Sequence, residues 1–75
     1  MPESPAEIIR RASAEIADDA PLATRGVRPF LLAVSGWLVS QGDALDAAGG
    51  QMERCGEPGS VRSALAIARA YVGEG

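Results

Sequence analysis

The sequence lacks most of the side chains on which enzymes and metal sites depend. It contains no histidine and a single cysteine, Cys55. Without an imidazole base beside it a thiol or hydroxyl is a poor nucleophile, and a lone cysteine cannot form an internal disulfide. An unpaired thiol is typical of a protein from a reducing compartment. We therefore expect Cys55 to be a buried or spectator thiol.

Long apolar runs and a basic surface are missing as well. The longest apolar stretch, 29–39, is far shorter than the roughly 20 residues of a membrane-spanning helix. The first five residues have neither the basic region nor the apolar core of a signal peptide. All 7 basic residues are arginine, and 10 acidic residues outweigh them to give a net charge of −3. These features predict a cytoplasmic protein without a membrane partner, for which nucleic acid is a less favourable partner than protein.

The chain is too small to enclose much volume. Its 75 residues fit one domain, 1–75, and a domain of this size has a thin hydrophobic core. Of these residues 14 are alanine, which buries little apolar surface. A water-excluding substrate pocket is hard to build from such a chain. We therefore predict that the protein is not an enzyme and has no catalytic residue, cofactor, metal or small-molecule substrate.

The composition favours helices, and the N-terminal helix has the clearest signal. Ser4 is followed at once by Pro5 and, three residues after Ser4, by Glu7. This is the pattern of a helix-capping box with proline in the first turn. The acidic pair 18–19 and then Pro21 end the helix.

A linker, 20–28, joins the first helix to the second. Gly26 supplies a turn there, and we expect Leu22 and Val27 to pack onto the core. Pro29 then opens the second helix, since proline is well suited to a first helical turn.

The second helix carries a heptad-like seam. Its members alternate in steps of three and four along one face, and all but one are apolar. They are Leu31, Val34, Leu38, Gln41, Leu45, Ala48, Met52 and Cys55. The seam predicts one helix over 29–55. Two glycine-containing breaks, at Gly42-Asp43 and Gly49-Gly50, equally allow a helix that is interrupted or kinked.

Large apolar side chains also lie off the seam in the first half of this helix. They are Phe30, Leu32, Trp37 and Val39. A helix that is apolar nearly all round is normally buried in the centre of a fold. We therefore expect Trp37 to lie in the core, whereas Tyr71 near the chain end should be half exposed.

The last helix follows a turn at 57–59, and Ser60 is placed to cap it. One face carries Val61, Leu65, Ala68 and Val72, and Gly73 ends the helix. No segment resembles a strand. The pattern predicts an all-α fold, a small three- to four-helix bundle with a long or kinked central helix that runs up, down and up.

A row of small residues recurs every seven positions. It consists of Ser35, Gly42, Gly49 and Gly56. Short side chains on one stripe let another helix approach closely, either within the bundle or from a partner. Alternatively, the glycines simply end helices, which is the interpretation that we favour.

Charged residues supply two further candidates. Arg62 and Arg69 lie seven apart on the last helix, which loosely matches the recognition helix of a helix-turn-helix. The acidic net charge favours solvated arginines in local ion pairs instead. Asp43 and Asp46 lie one helical turn apart, but a hard cation needs more oxygen ligands than two carboxylates supply. Asp43 is better interpreted as a helix cap.

Protein–protein interaction is the function that fits these features best. We expect a small acidic regulator, adaptor or inhibitor of a larger complex, of the kind that a phage or mobile element encodes, for example against a host defence complex. The partner is another protein or a second copy. The candidate partner-binding residues are Ser35, Gly42, Gly49, Arg62 and Arg69. Two alternatives stay open: a helix-turn-helix DNA-binding regulator that uses the last helix, and a structural homo-oligomer along the 31–55 seam.

Overall fold

The computed structural model of the chain describes residues 3–54, 56 and 58–73. Over these residues it contains the helices α1 (Pro5–Asp19), α2 (Arg28–Ala47) and α3 (Pro58–Val72), and no strand. Short 3-10 turns occur at Ala20–Leu22 and Met52–Arg54. The predicted small all-α bundle is confirmed. The predictions for Cys55 fall outside the described residues.

Helix α1 begins where the sequence predicted. The Ser4 hydroxyl oxygen accepts a hydrogen bond from the backbone N–H of Glu7 at 3.3 Å. The same hydroxyl donates to the Glu7 carboxylate at 3.1 Å, and Pro5 is in the first turn. The cap satisfies one of the N–H groups that a helix start leaves without a partner.

Helix α2 runs through Gly42 without a break. The predicted break at Gly42-Asp43 is wrong, and so is the assignment of Asp43 as a helix cap. The reason is that Gly42 is buried against α1. A Cβ built on Gly42 would lie 3.5 Å from Cγ2 of Ile9 and 3.7 Å from Cγ of Arg10. Packing against α1 therefore holds this stretch of α2 in a helical conformation.

The second predicted break is correct, so α2 does not reach residue 55. Gly49 and Gly50 have φ values of 69° and 81°, a region in which glycine meets no steric penalty. Their N–H groups donate to the carbonyl oxygens of Asp46 and Leu45 at 2.9 Å and 2.8 Å. This left-handed pair ends α2, and Met52 falls in a separate 3-10 turn.

The linker does not pack as predicted. Leu22 is 86% exposed and Val27 is also exposed, so the expectation that both contact the core is wrong. Ala20 is fully buried in the 3-10 turn that extends α1. Because Ala20 already fills this corner of the core, the larger Leu22 side chain lies outside it.

Helix α3 begins at Pro58, so Ser60 lies inside its first turn and is not its cap. The predicted inward face is correct, with Val61, Leu65 and Ala68 buried. Gly73 has a φ of 78° directly after the last helical residue, consistent with the predicted end.

The core forms where α1 packs against both other helices. Its fully buried large side chains are Ile9, Ile16, Leu38, Leu45 and Val61. Helices α2 and α3 contact each other less than either contacts α1. Across the part of the chain that the structure describes, none of the helices has the length and apolar character needed to span a bilayer.

The first half of α2 is not centrally buried. Phe30 is 65% exposed, and Leu32 and Val39 are about half exposed, which contradicts the expectation for these three residues. Trp37 is partly buried and packs against the core. The cause is that α1 covers one side of α2 only, and no other described element covers the opposite side.

Candidate interaction surface

Polar contacts fix α2 on α1. The hydroxyl of Ser13 donates to the carbonyl oxygen of Ser35 at 3.0 Å, and the hydroxyl of Ser35 donates to the carbonyl oxygen of Ser13 at 3.0 Å. Both side chains are buried. Further along, the Arg10 guanidinium of α1 contacts the carboxylates of Asp43 and Asp46 on α2. These bonds define which face of α2 is turned inward.

The Asp43–Asp46 pair therefore belongs to a contact between helices. The hydrogen bond from Arg10 to Asp46 raises the pKa of the guanidinium above its ordinary value, and the charged guanidinium contacts both carboxylates. Within the described residues no group of three or more potential metal ligands comes together. The arrangement links α1 to α2 at their exposed edge.

The row of small residues is divided among three environments. Ser35 and Gly42 are buried against α1, so their stripe serves a helix contact within the chain. Gly49 ends α2, and Gly56 is exposed in the following loop. Contact of these residues with a partner stays a prediction, but α1 already covers Ser35 and Gly42.

An apolar groove lies between the N-terminal half of α2 and the C-terminal half of α3. Its volume is about 470 Å³, and it is open to solvent. Its lining residues are Ile16, Phe30, Leu31, Val34, Trp37, Ile67 and Tyr71. Ile16 is buried and forms the floor, whereas Phe30, Ile67 and Tyr71 are exposed at the edges. The groove exists because α2 and α3 both pack on α1 and leave a gap between them.

A comparison with protein families, curated proteins and solved structures found no match to this chain.

Two helix segments that line the groove contain no charged residue. No charged side chain occurs in α2 from Pro29 to Gly42, or in α3 from Ser63 to Ala68. The exposed residues of these segments are Pro29, Phe30, Leu32, Ala33, Gly36, Val39, Ser40, Ser63, Ala66 and Ile67. A solvent-facing helix surface normally carries charges, whereas the core of a protein interface is depleted of them. This composition is unusual for a helix surface that is exposed to solvent.

Tyr71 places one polar group at the edge of the groove. Its hydroxyl donates a hydrogen bond to the carboxylate of Asp19, the last residue of α1. This bond, together with partial desolvation and the negative charges of Asp19 and Glu15, raises the pKa of Tyr71 to about 12. The phenol is therefore neutral near pH 7, and the bond holds its ring against the apolar lining.

The arginine pair lies on a different surface. Arg62 and Arg69 are exposed on α3, as predicted for solvated side chains, but neither forms the predicted local ion pair with a residue that the structure describes. Residues two apart on a helix point about 160° away from each other, so Arg69 is turned away from the groove residue Tyr71. The connection before α3 covers 48–57, which is longer than the three- or four-residue turn of a helix-turn-helix.

Sequence reasoning missed the groove because it placed Phe30 and Trp37 in the core. A usable signal was present. Phe30, Val34 and Trp37 are spaced by four and three, which puts them on one stripe of α2. All three lie in a 14-residue run without a charged residue.

Proposed function

We propose that this protein is an interaction module that binds another protein through the α2–α3 groove and acts as a regulator, adaptor or inhibitor of a larger complex. The observation that carries the proposal is the open groove of about 470 Å³, whose lining residues are all uncharged. Among the lining residues only Tyr71 and Trp37 carry a polar side-chain group, and the Tyr71 hydroxyl is already bonded to Asp19. Such a lining suits the binding of an apolar surface.

The exposed aromatic ring at the groove edge gives the scale of the binding energy. Phe30 is 65% exposed. An aromatic side chain buries about 200 Å², so covering the exposed part at about 25 cal/mol per Å² contributes about 3 kcal/mol. Interface residues of this weight dominate the affinity of protein complexes. Phe30 is therefore the residue whose replacement should weaken binding most.

The groove has dimensions that suit a helix. Phe30 and Trp37 are seven residues apart, which is about 10 Å along α2 or roughly two helical turns. A partner helix with apolar residues at positions i, i+3 or i+4, and i+7 can place that face between α2 and α3. Binding in this mode completes a four-helix arrangement over the gap.

The test is a parallel pull-down with three tagged baits: the natural chain, Phe30→Asp and Leu22→Asp. The control removes an even more exposed apolar side chain and adds the same charge, but Leu22 is not among the groove-lining residues. We expect the natural chain and Leu22→Asp to capture the same stoichiometric protein from source-cell lysate. Phe30→Asp should lose it, by about 100-fold or more if about 3 kcal/mol is removed.

Nuclease treatment of the same samples separates protein binding from DNA binding. Partners that remain after nuclease and depend on Phe30 support the module. Partners captured equally by all three baits contradict a role of the groove. Partners lost on digestion, with binding that falls in Arg62→Ala and Arg69→Ala, contradict it in favour of the DNA-binding alternative.

A further inference from the structure

We infer that the groove recognises an amphipathic helix of a partner protein that carries arginine or lysine beside its apolar stripe. The inference rests on the proposed function, because it names the chemistry of the partner that the same groove binds. Its starting point is the charge at the edge of the groove. The lining itself is uncharged, but the lining residue Tyr71 donates its hydrogen bond to the carboxylate of Asp19.

Two carboxylates form an acidic edge beside Tyr71. Asp19 is the last residue of α1, and Glu15 lies one helical turn before it on the same face. Both residues are exposed. The hydrogen bond to Asp19 is the main cause of the raised pKa of Tyr71, and the negative charge of Glu15 adds to it. Both charges therefore act at the point where the groove meets solvent.

The arginines of the chain leave this acidic edge without a counter-charge. The ion pairs among the described residues are made by Arg10 and Arg11, and none of them reaches Glu15 or Asp19. Arg28, the first residue of α2, donates instead to a backbone carbonyl of the linker at 3.2 Å. The last turn of α1 contains no basic residue, and the helix dipole is negative at this end. A cation supplied by a partner is thus attracted by two carboxylates and by the dipole.

Arginine and lysine have the side chains that fit such an edge. Their apolar stems can cover the rim of the groove while their charged heads remain in water. Asp19 uses one oxygen for Tyr71, and a carboxylate has a second oxygen that can accept from a guanidinium or an ammonium group. An acidic residue in the same place meets two like charges, so the edge also selects against acidic partners.

The size of the preference follows from the exposure of the two carboxylates. One exposed ion pair changes a dissociation constant by up to about fivefold. With two carboxylates, and with repulsion in place of attraction, a basic helix should bind about tenfold more tightly than an acidic helix with the same apolar stripe. The apolar stripe supplies most of the affinity, and the charge selects the partner.

The experiment is a fluorescence titration, because Trp37 is the single tryptophan and lines the groove. Two synthetic helical peptides of about 20 residues, both without tryptophan, share one leucine stripe at i, i+3, i+4 and i+7. One has lysine beside the stripe and the other has glutamate. We expect the lysine peptide to change the Trp37 emission and to bind about tenfold more tightly at low salt. Near 1 M salt, where charges are screened within about 3 Å, the two peptides should bind alike.

Three variants locate the effect. Glu15→Gln should reduce the preference for the lysine peptide by about threefold. Glu53→Gln removes the same charge from the 3-10 turn that precedes α3, far along the chain from Tyr71, and should keep the preference. Phe30→Ala leaves the charge unchanged and should weaken both peptides by about tenfold or more. Circular dichroism checks that each variant stays helical.

Four results would overturn the inference. They are equal affinity of the two peptides at low salt, equal effects of Glu15→Gln and Glu53→Gln, undiminished binding of the lysine peptide to Phe30→Ala, and no binding of either peptide up to about 1 mM. Emission that changes with the concentration of the chain alone, and with neither peptide, would assign the groove to a second copy instead. The proposed function is judged separately, because a natural partner of any charge is still captured in the three-bait pull-down.

Discussion

At the scale of single residues, two hydroxyl groups hold α1 and α2 in register. Ser13 and Ser35 exchange hydrogen bonds with each other's carbonyl oxygens, and their hydroxyl oxygens lie 3.1 Å apart. Both groups are buried, so each hydroxyl depends on the backbone carbonyl of the other serine as its acceptor. The pair fixes which side of α2 faces inward, and therefore which side carries the groove.

Ser35→Ala should destabilise the fold by about 1 kcal/mol, because it removes a buried hydrogen bond. Ser13→Ala should do the same. The double variant should lose slightly less than the sum of the two, since both alanine variants keep the carbonyl acceptors and only the 3.1 Å contact between the two hydroxyls is shared. Urea unfolding of the four proteins measures the coupling. Strictly additive losses would show that the two hydroxyls act independently.

Tyr71 provides a second test at this scale, because it is the single tyrosine of the chain. The hydrogen bond to Asp19 raises the pKa of Tyr71 to about 12 in the folded state. In the unfolded chain that pKa is about 10. The stabilising effect of the neutral phenol is thus complete below about pH 10 and is lost as pH rises through about 12.

Absorbance titration of the tyrosinate measures this pKa directly. We expect a midpoint near 12 for the natural chain, and a midpoint shifted toward 10 for Asp19→Asn. Asp19 is not among the groove-lining residues, so the variant changes the partner of the phenol and leaves the lining, including Trp37, as it is. Equal midpoints in both proteins would show that Asp19 does not hold the phenol.

At the scale of elements, Gly42 within α2 and Gly49 just after its C-terminal end have opposite roles. Gly42 is helical, and a Cβ there would be at ordinary contact distance from α1, 3.5 Å from Ile9. Gly49 has a φ of 69°, which other residues adopt at a steric penalty. The first is replaceable, and the second ends the helix.

Gly42→Ala should stabilise the protein by about 0.5–1 kcal/mol, through the higher helix propensity of alanine. Gly49→Ala should destabilise it by about 1–2 kcal/mol, through backbone strain. Thermal unfolding of the two variants provides the comparison. A destabilised Gly42→Ala would mean that α1 and α2 lie closer than the structure shows.

Local signals in the sequence predicted part of this architecture. The Ser4 cap, the inward face of α3 and the end of α2 at Gly49-Gly50 each depend on a few neighbouring residues. The exposure of Phe30 could not be predicted in this way. Since α2 is apolar on all sides near Phe30, only the position of α1 decides which side is buried.

At the scale of the whole molecule, the three helices that the structure describes are too few to cover the longest of them. Helix α2 has 20 residues, against 15 in each of α1 and α3. Its uncharged stretch from Pro29 to Gly42 is covered on one side by α1 and remains open on the side of the groove. The thin core and the exposed apolar surface therefore have the same cause, which is the short length of the chain. Covering the groove adds to the core what the chain alone cannot supply.

Photo-crosslinking at position 30 tests most directly whether this surface is an interface. A benzophenone analogue of phenylalanine replaces Phe30 in one sample and the more exposed Leu22 in a matched control. Both are irradiated in source-cell lysate, and the products are identified by mass spectrometry. We expect adducts from position 30, to a partner protein or to a second copy, and few from position 22. No adduct at position 30, or equal adducts at both positions, would contradict the assignment of the groove as an interface.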